Sequence, residues 1–244
     1  MTDAIAEAVA ETTDDAEIRV GLERFVALLL ERNAATNLTS ARDPAAVMLH
    51  VRDSLGLVPF VGHTHVDIGS GGGFPGLVLA IATRKPITLV ESLAKKATFL
   101  REVAALLGLP VDVVCARAED VGRDPAFRER FATATARAVA GVTTVLELTV
   151  PLLEVGGRAL LQRGRFTALE RASAHDAALV LGAEIAGEYA VDERGMVARQ
   201  AVDDDGRRLL VVAKRLATGP RFPRRAGIPA KRPLCALAST MPDG

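Results

Sequence analysis

The chain has two cysteines, one tyrosine and no tryptophan, and none of its apolar runs is long. Cys115 and Cys235 make no C-x-x-C pair and no zinc spacing, so neither a disulfide framework nor a metal is expected. The longest apolar stretches, Phe25 to Leu30 and Leu77 to Ala82, are core segments and fall short of a membrane span. A signal peptide is also lacking, since residues 1–20 hold six acids and a single base, Arg19. A cytoplasmic protein with no membrane partner is the expectation. Net charge is +0, with 30 acids against 30 bases, which excludes a surface coated in positive charge for unspecific nucleic-acid binding.

What is present suits one α/β domain with appendages: 244 residues, 49% of them hydrophobic. The chain is organised around His65-Val66-Asp67-Ile68-Gly69-Ser70-Gly71-Gly72-Gly73-Phe74-Pro75-Gly76. Thr64 to Ile68 reads as a buried parallel strand, and Pro75 suits the first turn of a helix. Glycines between them allow positive φ and let a ligand lie against bare amides, although such a bend can also be a plain tight turn. The spacing Asp-x-Gly-x-Gly-x-Gly misses the dinucleotide register G-x-G-x-x-G at Phe74. That turns the reading from nicotinamide cofactors to S-adenosylmethionine, with Asp67 attracting its cationic end.

Helices are predicted over residues 2–11 and 16–33, with a break at Asn33 to Asn37. A third starts at Pro44 behind the cap Asp43, and carries His50 and Asp53 three apart, either facing one another or as a surface pair. These form a helical cap over residues 1–60, ahead of a main domain over 61–216 and a basic tail over 217–244. Strands are predicted at Ile87 to Val90, Val111 to Cys115, Phe131 to Ala136 and Arg158 to Gln162. A helix over Glu147 to Leu153 precedes Gly156-Gly157, and another covers 166–182. Ala186 to Val191 and Arg207 to Lys214 pair last, across a turn at Asp203-Asp204-Asp205-Gly206. The fold class is therefore α/β, a Rossmann-like sheet of parallel strands with a terminal antiparallel strand, as in class I S-adenosylmethionine-dependent methyltransferases.

Ligands of such sheets sit beyond the carboxyl ends of the strands. Glu91, eighteen residues past Gly73, can accept from both hydroxyls of a ribose or cap the next helix; its position favours the ribose. The Ala118 amide and the Glu119 carboxylate are candidates to read an adenine edge. At the fourth strand end stands Thr135-Ala136-Arg137-Ala138 and no Asp/Asn-Pro-Pro-aromatic motif, which speaks against methylation of an exocyclic amine. Carbon methylation of a pyrimidine needs a cysteine nucleophile, and neither cysteine is suitably placed. Guanine N7 needs neither nucleophile nor base, only alignment. Arg137, Arg163 and Arg165 are candidates to hold the substrate through phosphates or O6, with a solvated edge as the simpler reading for Arg165. From Lys214 to Gly244 there are seven bases against Asp243 alone, a patch for a polyanion or a solvated tail.

Several motifs stand together in the order and spacing of one family. They are Asn37-Leu38-Thr39, His50-Val51-Arg52-Asp53-Ser54-Leu55, the glycine segment, Glu91-Ser92-Leu93-Ala94-Lys95-Lys96, Arg117-Ala118-Glu119 and Arg137-Ala138. In these the chain resembles the 16S ribosomal RNA guanine-N7 methyltransferases, also called glucose-inhibited division protein B. The tail from Phe222 to Leu234 is similar to the extension of longer members. The resemblance implies cofactor contacts from Gly69, Phe74, Ala118, Glu119 and Arg137, with Asp67, Gly71, Gly73 and Glu91 in addition. It also implies a guanine of the 530 loop in 16S rRNA or the small ribosomal subunit as substrate, acted on by a cytoplasmic enzyme; a monomer is the default expectation. A non-catalytic RNA-binding or ribosome-assembly protein on the same fold is the alternative. One departure is Arg163-Gly164, where the family usually has Lys-Gly, and a planar guanidinium does not replace a compact ammonium. Arginine outnumbers lysine twenty-five to five throughout, so composition alone could explain it.

Overall fold

A computed structural model of the chain describes residues 2–137, 140–164, 166–192, 195, 197 and 206–234. Three helices come first: α1 (Thr2–Ala10), α2 (Ala16–Thr36) and α3 (Pro44–Leu55). Asp15 and Asp43 cap α2 and α3 by accepting backbone N–H bonds, and Pro44 stands in the first turn of α3. The expected break at Asn33 is not there. Helix α2 runs on to Thr36 and stops at Asn37, whose φ of 53° is the left-handed conformation asparagine tolerates. Asn33 is instead buried and makes four hydrogen bonds, donating to Thr39 and Ala41 and accepting from Leu38 and Thr39. Its amide thus shapes the Asn37-Leu38-Thr39 turn.

The sheet follows: β1 (His65–Ile68), α4 (Gly76–Thr83), β2 (Ile87–Val90), α5 (Ala94–Leu106), β3 (Val111–Val114), α6 (Ala118–Val121) and β4 (Phe131–Ala136). Then come α7 (Val142–Thr149), β5 (Leu153–Arg163), α8 (Ala168–Val180), β6 (Ala183–Val191) and β7 (Arg207–Lys214), with a single turn α9 (Ile228–Lys231) in the tail. Strand order is β3-β2-β1-β4-β5-β7-β6. Strands β1 to β5 pair in parallel, and β7 runs antiparallel to both neighbours. This is the Rossmann-like sheet of the class I methyltransferases.

One face of the sheet packs on α1 to α5 and the other on α7 and α8, giving two apolar cores. Strand alternation divides β1 between them. Val66 and Ile68 enter the core of α7 and α8. The parallel register instead pairs His65 with Thr133 and Asp67 with Thr135.

Some boundaries differ from expectation. Residues Glu147 to Leu153 are not one helix, because α7 ends at Thr149 and a 3-10 turn over Val150–Leu152, holding Pro151, leads directly into β5. Strand β5 starts at Leu153, and Gly156-Gly157 lies inside it, where the β4 register slips between Phe131 and Thr133. Gly156 has φ +94°, and a Cβ on Gly157 would stand 2.9 Å from the Phe131 carbonyl, so the pair forms a bulge with close backbone approach. Cys115 lies just past β3 and is exposed. The segment after Arg117 is helix α6. Ala138, Arg165, Asp203, Asp204, Asp205 and Cys235 lie outside the described residues. Among those described, no helix is long and apolar enough to cross a membrane, and no cluster of His, Cys, Asp and Glu could hold a metal.

Candidate active site

The glycine bend is held from below and from the side. Gly69, Gly71 and Gly73 have φ of 69°, 55° and 100°, which side-chain-bearing residues rarely adopt. Gly69 and Ser70 donate to the Val90 carbonyl, which ties the bend to the end of β2. Glu91 is 6% exposed and accepts from Gly71 N–H at 3.0 Å and from Leu93 N–H at 2.8 Å. It therefore steadies the bend and the start of α5 together. Each carboxylate oxygen has a second lone pair free of these bonds, which suits vicinal hydroxyls.

Two expected contacts are turned inward. Asp67 is fully buried: Oδ1 accepts from Thr135 and Oδ2 from Gly76 N–H at the start of α4. Burial raises its carboxyl to about 6, with Thr135, Ser70, Gly76 and Arg137 pulling against the rise. Strand alternation puts it beneath the bend, where it supports the start of α4. Gly73 is likewise buried, and a Cβ there would stand 2.6 Å from Leu77. Gly69 and Gly71, half-buried, are the glycines left facing outward.

Below Asp67 runs a polar rail. Thr135 donates to Asp67, so it accepts from His65 Nε2–H at 2.9 Å, and His65 Nδ1 accepts from Thr133 at 2.8 Å. Thr133 in turn accepts from Gly62 N–H. This directional chain fixes one neutral tautomer of His65, whose pKa burial, aided by Lys85, depresses to about 3.

On the other side of the bend the Phe74 ring is buried against Phe25, His50 and the Arg137 guanidinium, at 5.3, 5.4 and 5.2 Å. Burial lowers the Arg137 pKa, and Asp53 and Asp67 counter it. Burial, with help from Arg137, also lowers His50 against the pull of Asp53. Arg137 leads into a cavity of about 480 Å³ lined by Thr39, Ser40, His50, Asp53, Arg137, Gln162, Arg163, Gly164, Val191, Arg207 and Arg208. Sequence reasoning had singled out His50, Asp53, Arg137 and Arg163, and the fold brings all four here. His50 and Asp53 do not pair with each other: Asp53 accepts from Arg207, and His50 packs on Phe74. Arg163 stacks on Phe166 at 4.7 Å and donates to Glu170 at 2.7 Å, both of which use a planar fork. Gln162 donates to the Asp53 carbonyl, and its buried Oε1 has no hydrogen-bond partner among the described residues.

Gln162, Arg207 and Arg208 were missed. The signal was available for the arginines, because the first residues of an antiparallel strand lie at the carboxyl edge of its parallel neighbours.

The Glu119 carboxylate does not face the cleft. It accepts from Gly227 N–H at 2.8 Å and from Arg117 at 3.1 Å. Burial pushes this carboxyl up, but the Gly227 amide, its own amide and Arg117 outweigh burial and hold it below the usual range. Ala118 remains half-buried at the strand end beside β2. The groups at the bend that could hold a nucleoside are the backbone at Gly69 and Gly71, the Glu91 carboxylate and the surface at Ala118.

A family model described as rRNA small subunit methyltransferase G (GidB) matches residues 19–193. A ribosomal RNA small subunit methyltransferase G from Rubrobacter xylanophilus is 42% identical over 220 residues, 87% of this chain and 82% of the relative. One from Leuconostoc mesenteroides is 36% identical, over 87% of this chain and 89% of its own. Among solved structures, a branched-chain polyamine synthase mutein from Thermus thermophilus has a TM-score of 0.57 at 18% identity, covering 82% of this chain and 65% of that one. TYW2 of M. jannaschii, in complex with AdoMet, has a TM-score of 0.51 at 15% identity, over 69% and 77% of the two chains.

Proposed function

The chain belongs to the rRNA small subunit methyltransferase G family, and on that premise we propose how its residues divide the work of methylating guanine N7 in 16S rRNA. S-adenosylmethionine supplies an electrophilic methyl group. Gly69 and Gly71 offer main chain to it, Glu91 takes the ribose hydroxyls, and Ala118 lies along the adenine. Asp67 and Gly73 act one step back, by shaping the bend.

The observation that carries the reading is a cavity walled by Arg137, Arg163, Arg207 and Arg208 that meets the bend at Phe74. Its one acidic lining residue among those described, Asp53, is already paired with Arg207. Such a wall suits a nucleotide whose phosphates or O6 face the guanidinium groups. Gln162 Oε1, a buried acceptor without a partner, takes a donor from the base edge. N7 has a free lone pair and loses no proton on attack, so the protein need only align it; proximity can supply about 7–11 kcal/mol in well-oriented systems. In this reading the substrate guanine lies in the 530 loop and the enzyme works as a cytoplasmic monomer. Residues 1–60 back the bend, 61–216 carry the chemistry, and 217–244 form the tail.

Incubation with labelled S-adenosylmethionine and small subunits lacking the modification tests this. Label is expected in 16S rRNA as 7-methylguanosine in a nucleoside digest. RNA binding without label would instead identify an assembly factor on a methyltransferase fold.

A further inference from the structure

The tail, read from its charge as a patch for a polyanion or a solvated tail, is bonded at several points of its described part to the rest of the protein. Arg224 makes a bidentate pair with Glu147, which is fully buried, and its backbone N–H donates to the same carboxylate. Phe222 is buried, and Thr144 donates to the Pro229 carbonyl. A second set of bonds ties the tail to the segment that follows β3. Arg128 donates to the carbonyls of Thr218, Gly219 and Phe222, and Arg123 to that of Pro223. Gly227 N–H ends on Glu119. Gly122 has an ordinary helical φ of −67°, but a Cβ there would stand 2.8 Å from Pro223 Cγ. Its missing side chain makes room for the tail.

We propose that residues 215–234 are a strap that positions the Ala118–Glu119 turn for the cofactor, with Glu119 and Gly227 as its clasp and Arg224 as its anchor. The idea rests on the cofactor site proposed above, which has Ala118 along the adenine. Glu119 is then a positioning residue: its side chain faces the strap while its backbone shapes the ligand surface. A strap that holds the turn in its binding geometry removes the conformational cost of selecting that geometry. Releasing it lowers the competent fraction, and the apparent Kd rises in proportion.

Arg128→Met and Gly122→Ala loosen the strap from outside the ligand surface. Neither leaves a buried charge without a partner, so both should fold, as thermal melting would verify. If the turn is then competent about a tenth of the time, Kd and KM for S-adenosylmethionine rise about tenfold. The kcat at saturating cofactor and the KM for rRNA stay within about twofold, because the arginine cavity is untouched. Hydrogen exchange at residues 117–122 of the cofactor-free protein should quicken in both variants. Unchanged exchange and unchanged Kd would overturn the strap. So would a rise confined to the KM for rRNA, which would make the tail an RNA arm. Faster exchange in the variants of a protein that bound no cofactor at all would keep the strap and overturn the cofactor site.

Discussion

Around Gly69–Gly73 the ligand surface is main chain steadied by buried acids, whereas the cavity beyond β4, β5 and β7 is walled by side chains from widely separated segments, four of them arginines. Glu91 accepts from the amides of Gly71 and Leu93, and Asp67 from the amide of Gly76 and the hydroxyl of Thr135. Across Phe74, the cavity lining among the described residues holds four guanidinium groups and one carboxylate, Asp53. A backbone surface near carboxylates suits a nucleoside with hydroxyls and a positive sulfonium; a guanidinium wall suits an RNA phosphate or O6. If the two halves are this distinct, single substitutions should affect one ligand and spare the other.

The largest effect is expected from Gly71→Val. A Cβ there meets only the Gly69 carbonyl at 3.7 Å, but φ is +55°, so the fold carries about 1–2 kcal/mol of strain and the bend loses its bare surface. Cofactor affinity by calorimetry should fall on the order of 100-fold, about 2.7 kcal/mol. Affinity for rRNA and its salt dependence should not move. Loss of both together would mean the halves are one surface.

Next is the pH dependence of the rail under the bend. His65 stays neutral in the fold to about pH 3, while the unfolded chain takes that proton near pH 6.5, so this group removes stability as pH falls from 6.5 toward 3. Asp67 titrates near 6 in the fold and near 3.9 unfolded. It therefore adds stability as pH falls from 6 toward 4. Each slope is about 1.4 kcal/mol per pH unit, and between pH 4 and 6 they oppose one another. Asp67→Asn should leave stability in urea rising with pH over that range, and His65→Gln should leave it falling. Profiles parallel to the parent in both variants would remove the rail from the account.

Arg207→Met probes the other half. The KM for rRNA should rise about tenfold and the slope of log affinity against log salt should shrink by about one, with cofactor affinity intact. A shift in cofactor affinity of similar size would show that Asp53, freed of Arg207, reaches the bend through His50 and Phe74.

The same contrast governs what was legible in the sequence. The bend could be read because its requirements are local: glycines where φ is positive, and a β-run ending just before Glu91, ahead of a helix. The sheet followed from alternating strands and helices. The bond from Gly76 to Asp67 was not legible, because a carboxylate beside glycines reads the same whether it faces a ligand or a helix start; strand alternation puts it with His65, away from Val66 and Ile68. Gly156-Gly157 reads as a helix end until β4 is known to approach it. The pairs Glu147 with Arg224, Glu119 with Gly227 and Asp53 with Arg207 join residues 77, 108 and 154 apart. No periodicity encodes such pairs, and they are what turned the basic tail into a strap.

The smallest effect is the most discriminating for Arg163, where the sequence resemblance leads to an expectation of lysine. A lysine at 163 would keep the positive charge but lose the stack on Phe166 and the planar donor set, one nitrogen of which serves Glu170. If arginine is there only because this chain favours it, Arg163→Lys should change nothing. If the guanidinium braces the cavity wall through Phe166 and Glu170, the lost stack costs about 0.5–1 kcal/mol. The KM for rRNA should then rise about threefold, with kcat and cofactor affinity unaltered, and Phe166→Leu should reproduce the rise without touching the charge. Arg163→Ala, which removes charge and brace together, should exceed either. Equal effects of the alanine and lysine variants would assign position 163 to bracing alone and leave phosphate binding to Arg137 and Arg207.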